Sequence, residues 1–252
     1  MLSYIWKRFL SLLPVLFVVS CVAFLVVYMI PGGPATALLG MEATPEQIAE
    51  LNTELGFDRP FLVQYVDWFG NVLQGNWGES YFLHQSVLES IREYFPPTLS
   101  LAIFAQVIAI VLAVPMGIIA AYKRGTAFDL TAVSVSLLGV ALPGFLLSMF
   151  LMLFLRVKKQ WFPVAGYAVL SEGLGEHLKY LFVPALSLGI VQAAYITRMT
   201  RAALLDVLYK NYIHTGRAKG LKEWAVIMKY GLKNAAPAIL TAVAKLFGCL
   251  KP

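Results

Sequence analysis

The feature that most constrains this chain is an unbroken run of 22 uncharged residues, 9–30. At about 1.5 Å per residue, a helix of that length crosses a hydrocarbon core of about 30 Å. Lys7 and Arg8 stand immediately before it. A secretory signal is the competing reading, but its apolar region is typically about 7–15 residues, and no small-x-small cleavage site follows this run closely. The run therefore reads as a retained first membrane helix with its N-terminus in the cytoplasm. Further apolar spans are read at 98–121, 128–155 and 180–196, with a shorter one at 236–249. The chain is 59% hydrophobic and only 13% charged, whereas a soluble domain has about a quarter of its residues charged. The fold class is an all-α polytopic integral membrane protein, with about four complete transmembrane helices and a partial fifth.

Three regions follow from the charge pattern: 1–30, the N-terminal tip and first span; 31–97, an external loop; and 98–252, the membrane core. Region 31–97 holds nine carboxylates against only Arg59 and Arg92, and loops poor in basic residues belong outside. Within it, Thr44-Pro45-Glu46-Gln47 has the form of a capping box, and Ile48, Leu51 and Leu55 share a face until Gly56, which predicts a small amphipathic helix. In the second span Ala105, Ala109, Ala113, Gly117 and Ala121 recur every fourth residue, a flat stripe on which another helix can pack closely. Ala185, Gly189 and Ala193 repeat it in the fourth. Gln106 and Gln192 are the amides of these two helices, read either as interhelical hydrogen bonds or as residues lining a pathway. Pro143-Gly144 bends the third span or divides it in two. Arg156, Lys158 and Lys159 then fall outside, against the charge rule, yet twelve basic residues lie inside and six outside, so the topology stands. Cys21 and Cys249 form neither metal spacing nor a disulfide framework.

The stretch 212–237 is of another kind. His214, Arg217, Lys219, Lys222, Lys229 and Lys233 face the single Glu223, so it lies in water beside the membrane, within a cytoplasmic loop spanning 198–235. The plain reading is a solvated loop that orients the membrane helices. Tyr212 to Lys219 forms one short helical piece and Leu221 to Lys233 a second, with Gly220 as the corner between them. The run Ile213-His214-Thr215-Gly216-Arg217-Ala218-Lys219-Gly220-Leu221, then Leu232-Lys233-Asn234-Ala235 and Pro237, resembles the coupling loop of binding-protein-dependent ABC transporter permeases of the dipeptide, oligopeptide and nickel branch. Gly216 stands where that family usually has Ala, and Lys222 where it often has Ser. A second match comes from Leu55-Gly56-Phe57-Asp58-Arg59-Pro60, Gln64-Tyr65, Trp68 and Gly75-Asn76-Trp77-Gly78-Glu79-Ser80, which resemble the family's first external loop.

The resemblance implies a subunit of an ATP-driven importer for peptides or a related small solute, in a bacterial inner membrane. Its implied partners are two cytoplasmic ATPase subunits, a second similar permease and an external solute-binding protein. The family expectation is six spans, so the chain also reads as cut short within the fifth. Tyr212, Ile213 and Leu221 would fill a cleft on the ATPase, while Arg217 and Lys219 would meet acidic groups at its rim. The chain has no G-x-x-x-x-G-K-[ST], so energy is expected from a partner. No cofactor and no catalytic constellation is expected: the acidic loop and His84 come with no nucleophile elbow or HExxH. The net charge of +6 does not form a nucleic-acid stripe, since basic residues cluster beside apolar runs. A secondary transporter is disfavoured because neither an inverted repeat nor an intramembrane ionisable pair is read in the first four spans. An inactive shortened product or a non-transporting scaffold remains the alternative.

Overall fold

The computed structural model describes residues 2–29, 33–40, 43–80, 83–163 and 166–249. The boundary at residues 30 and 31, the carboxylate Glu42 and the terminal Lys251 and Pro252 lie outside them. The chain divides into two compact units, Met1–Tyr94 and Phe95–Pro252.

In the first unit, α1 (Leu2–Tyr28) is followed by α2 (Gly33–Leu39), α3 (Pro45–Glu54) and α4 (Phe61–Leu73). The capping box of α3 is formed: Thr44 Oγ1 accepts from Gln47 N at 3.3 Å and Thr44 N donates to Gln47 Oε1 at 3.0 Å, satisfying backbone donors that the helix start would leave unpaired. A two-stranded antiparallel hairpin follows, β1 (Glu79–Ser80) with β2 (Gln85–Ser86), pairing Glu79 with Ser86 and Ser80 with Gln85. It leads directly into α5 (Val87–Tyr122). This helix begins well before residue 98, because its hydrogen bonding continues through an acidic first turn bearing Glu89.

The second unit holds the rest of α5 with α6 (Ala127–Ala141), α7 (Gly144–Leu151), a π-helical turn Met152–Lys158 and α8 (Leu174–Leu208). Then come α9 (Asn211–Ala218), α10 (Glu223–Ala225), a second π-helical turn Val226–Gly231 and α11 (Leu232–Cys249). The segment read as a third span is two pieces bent by 99°. Leu142 and Pro143 are extended, with ψ of 125° and 128°, as expected where a proline pushes the preceding residue out of the helical region. Among the described residues three helices are long and apolar enough to cross a membrane, and a fourth if the bent pair counts as one span.

The small-residue stripe is what lets these helices meet. Ala105, Ala109, Ala113 and Gly117 of α5 are buried. A Cβ added at Gly117 would stand 2.7 Å from Thr200 Cβ, and one at Gly189 would stand 3.0 Å from the Ala105 carbonyl oxygen, so α5 and α8 touch backbone to side chain. Thr197 Oγ1 reaches the Ala113 carbonyl at 3.4 Å. Close packing of this kind substitutes for the hydrophobic drive that lipid cannot supply. Arg156, which ran against the charge rule, is a buried tie: its Nη2 donates to the Tyr180 carbonyl at 3.0 Å.

Candidate coupling elbow

The water-facing stretch forms a corner whose shape follows from local hydrogen bonding. Gly220 has φ of +75°, a value that carries no steric penalty for glycine alone. Leu221 N donates to the Gly216 carbonyl and Gly220 N to the Arg217 carbonyl at 2.9 Å, so the last carbonyls of α9 are satisfied in a Schellman motif. A Cβ at Gly216 would lie 3.9 Å from Leu221 Cδ1 and 3.8 Å from Val226 Cγ2, ordinary contact distances. Alanine would therefore fit where this chain has glycine.

Beyond the corner the backbone differs from the expected second helix over 221–233. Leu221 and Lys222 are not helical; α10 begins at Glu223 and passes through the π-helical turn into α11. Residue by residue, the corner has an inner and an outer face. Ile213 is fully buried, as are Val226 and Ile227, and Ile227 joins a core with Ile118, Ala121, Leu204, Ala235 and Ile239. This corrects the expectation that Ile213 fills a partner's cleft: its side chain holds the elbow to its own bundle. Tyr212, Thr215, Ala218, Lys219, Gly220 and Leu221 are exposed, and so is Trp224. Asn234 Nδ2 donates to the Tyr230 carbonyl at 2.7 Å, and Pro237 lies exposed within α11.

Arg217 is a second correction. Its Nε donates to Glu223 Oε2 at 2.9 Å and its Nη2 to Glu223 Oε1 at 2.5 Å. A guanidinium committed to both oxygens of one carboxylate closes the elbow on itself, a role within the chain that the expected rim contact did not include. The same hydrogen bonds hold the Glu223 carboxyl below its ordinary range. Beneath the corner a cavity of about 210 Å³ is lined by Tyr122, Arg124, Tyr209, His214, Arg217 and Glu223 among others. Arg124 lies over the Tyr209 ring at 5.3 Å, and Tyr122 meets Trp224 edge-on at 6.2 Å.

Sequence reasoning missed one feature and misjudged another. Arg201 of α8 donates through Nε to Asp129 Oδ1 at 2.5 Å and through Nη2 to Asp129 Oδ2 at 2.7 Å, joining α6 to α8. Asp129 is buried, and its Oδ2 also accepts from Gly125 N at 3.0 Å. Asp129 is the second residue of the span read at 128–155, so that span is not free of charge as read, while Arg201 lies beyond the fourth span read at 180–196; the signal was Asp129 itself, a carboxylate inside an apolar segment. Gln106 and Gln192 are buried, and neither side-chain amide makes a hydrogen bond among the described residues. The interhelical bonds expected of them are absent among the described residues.

The structure is thus a set of long apolar helices followed by a basic, exposed elbow. Comparison with known proteins gives the family. Residues 113–248 match the model described as "Binding-protein-dependent transport system inner membrane component", and residues 1–102 match that of its N-terminal region. The chain belongs to this family and is a permease subunit of an ABC importer, a multi-pass inner-membrane protein that works with an ATPase and a substrate-binding protein. Its relatives include a Brucella suis (biovar 1, strain 1330) protein named as a peptide transport system permease, 36% identical over 250 residues, 99% of this chain and 80% of the relative. The glutathione transport system permease protein GsiC of Escherichia coli (strain K12) is 36% identical over 250 residues, 99% of this chain and 79% of that protein. A Sinorhizobium fredii protein named as a peptide ABC transporter permease is 33% identical over 244 residues, 97% of this chain and 78% of the relative.

Proposed function

We propose that this chain forms one half of the membrane pathway of an importer for peptides or a peptide-like solute such as glutathione, and that the elbow at 212–237 carries the motion of the ATPase into it. The second half would be a similar permease, with two ATPase subunits on the cytoplasmic face, where the chain's N-terminus also lies. The supporting observation is the Gly220 corner: a left-handed glycine closing a short helix that packs on the π-helical turn 226–231, whose Ile227 in turn shares a core with α5, α8 and α11. A rigid corner of this kind transmits a push as a rotation of the helices it is packed on. Within it, exposed Tyr212 and Leu221 seat in the partner's cleft and Lys219 meets its rim. Thr215 and Ala218 lie on the outer, partner-facing side, while buried Gly216 faces inward, toward Val226. Arg217 holds the corner's shape through Glu223, and Asn234 and Pro237 begin the helix that receives the motion. Gln106 and Gln192 are candidates for lining the pathway, since their amides have hydrogen-bonding capacity that the chain leaves unused. Names of the relatives support the solute class.

The test is uptake of labelled dipeptide and of glutathione by vesicles holding the assembled transporter and its binding protein. Gly220→Val is expected to lower ATP-driven uptake at least tenfold while ATP hydrolysis continues, because a β-branched residue is strained at φ of +75°. Gly220→Asn, which tolerates that conformation, is expected to retain most uptake. Unaltered coupled uptake in Gly220→Val would refute the role given to the corner.

A further inference from the structure

Helix α4 has three faces, and only two have an evident occupant. Phe61, Tyr65 and Trp68 turn toward α1: Phe24 meets all three rings edge-on or tilted, at centroid distances of 5.4, 5.5 and 5.8 Å. Tyr65 Oη and Ser20 Oγ share a hydrogen bond of 2.8 Å. Gln64, Asp67 and Asn71 make a polar face, on which Gln64 Nε2 donates to the carbonyls of Phe57 and Arg59, and Asp67 pairs with Arg59 at 3.5 Å. The third face is Leu62, Val66, Phe69 and Leu73, at the spacing of one helical stripe. It is apolar and uncovered, with relative exposures of 71%, 65%, 38% and 73%.

The tie to α1 fixes the level at which this stripe stands. Ser20 lies six residues before Val26, where the apolar span Trp6–Val26 of α1 ends, about 9 Å along the axis. It lies fourteen residues after Trp6, where that span starts, about 21 Å in the other direction. The bond to Tyr65 therefore forms well below the headgroups of a bilayer that α1 spans. A helix anchored there stands with its apolar stripe at hydrocarbon level, and its polar face is on the opposite side of the helix. The flank of α1 itself is apolar and exposed along Val15, Leu16, Val18, Val19 and Val22, so lipid already borders the unit.

We infer that α4 is an interfacial helix whose Leu62, Val66, Phe69 and Leu73 face lies in the acyl chains of the leaflet at the C-terminal end of α1. An amphipathic helix in that position buries its apolar face about 5–10 Å into the boundary between headgroups and chains. The external loop is thereby anchored to the bilayer, which limits the orientations it can present to a solute-binding protein.

Spin labels at Val66→Cys, Leu73→Cys and Asn71→Cys, in a Cys21→Ser, Cys249→Ser background, test this in the full chain reconstituted into phosphatidylglycerol and phosphatidylethanolamine vesicles. Relaxation by dissolved oxygen is expected to exceed relaxation by a water-soluble nickel chelate several-fold at residues 66 and 73, with the ratio reversed at 71. Nickel-favoured relaxation at 66 and 73 would place the stripe in water and overturn the inference. Protection from both reagents there would mean that protein covers it, and would overturn it equally. If the label perturbs insertion, the unlabelled Val66→Cys chain is expected to react with a membrane-impermeant maleimide at least tenfold more slowly than Asn71→Cys; equal rates would contradict the inference.

Discussion

Two arginine–carboxylate forks in this protein do different work. Asp129 and Arg201 are 72 residues apart and join two helices, with side chains 3% and 25% exposed. Arg217 and Glu223 are six residues apart and join the two arms of one corner, with side chains 36% and 39% exposed. The geometry is nearly the same. What differs is how much water remains to replace the partner if one is removed. A buried fork is costly to break because the surviving charge is stranded; a half-exposed fork is cheap to break, so its value lies in the shape it imposes.

The largest effect is therefore expected at the buried fork. Asp129→Ala leaves Arg201 facing α6 without its carboxylate and is expected to destabilise the protein by about 3 kcal/mol, near the low end for a buried pair because Arg201 retains some solvent. Thermal unfolding in detergent, followed by tryptophan fluorescence, measures it. A loss no larger than that of an exposed pair would erase the contrast. Glu223→Gln should cost only about 0.5 kcal/mol in the same assay. It should nevertheless lower the ratio of solute transported to ATP hydrolysed, because the corner loses the contact that fixes its angle; an unchanged ratio would reduce the fork to ornament.

The smallest expected effect is of pH. Glu223 has a lowered pKa, caused first by the Arg217 hydrogen bonds. A carboxylate with a depressed folded value contributes stability that is fully present above its unfolded value, about 4.3, and is lost as pH falls through the lowered one. Coupling set by this fork is thus expected to be flat between pH 6 and 8 and to weaken only in acid. A transition in the coupling ratio near neutrality, absent in Glu223→Gln, would contradict that.

Much of this was legible from residue order because the controlling interactions are local. Uncharged runs specify helices; Thr44 to Gln47 contains its own cap; Ala105, Ala109, Ala113 and Gly117 recur at four-residue spacing and do pack against α8. Gly220 ends a helix with its own backbone hydrogen bonds. What periodicity does not carry is which side of a short helix faces inward. Ile213 and Tyr212 are adjacent and both apolar, yet one is fully buried and the other is exposed, a choice made by packing from elsewhere in the chain. The partner of Arg217 was hidden for a similar reason: Glu223 comes within reach only once Gly220 reverses the backbone. Asp129 and Arg201 meet through the approach of α6 to α8, where a Cβ at Gly139 would stand 2.9 Å from Ala194 Cβ. No local pattern announces that pairing. The 99° bend at Leu142 and Pro143 is intermediate, since the proline marks where a break falls but leaves its angle to packing.

The central claim is that the Gly220 corner touches the ATPase. The direct measurement is cysteine cross-linking in the assembled transporter, with Leu221→Cys paired against single cysteines in the cleft of the ATPase subunit. The account predicts a permease–ATPase adduct at Leu221→Cys and none at Ile213→Cys, whose side chain is turned into the bundle. The contrary result is a Leu221→Cys chain that forms no such adduct and instead reacts with an impermeant thiol reagent added outside intact cells.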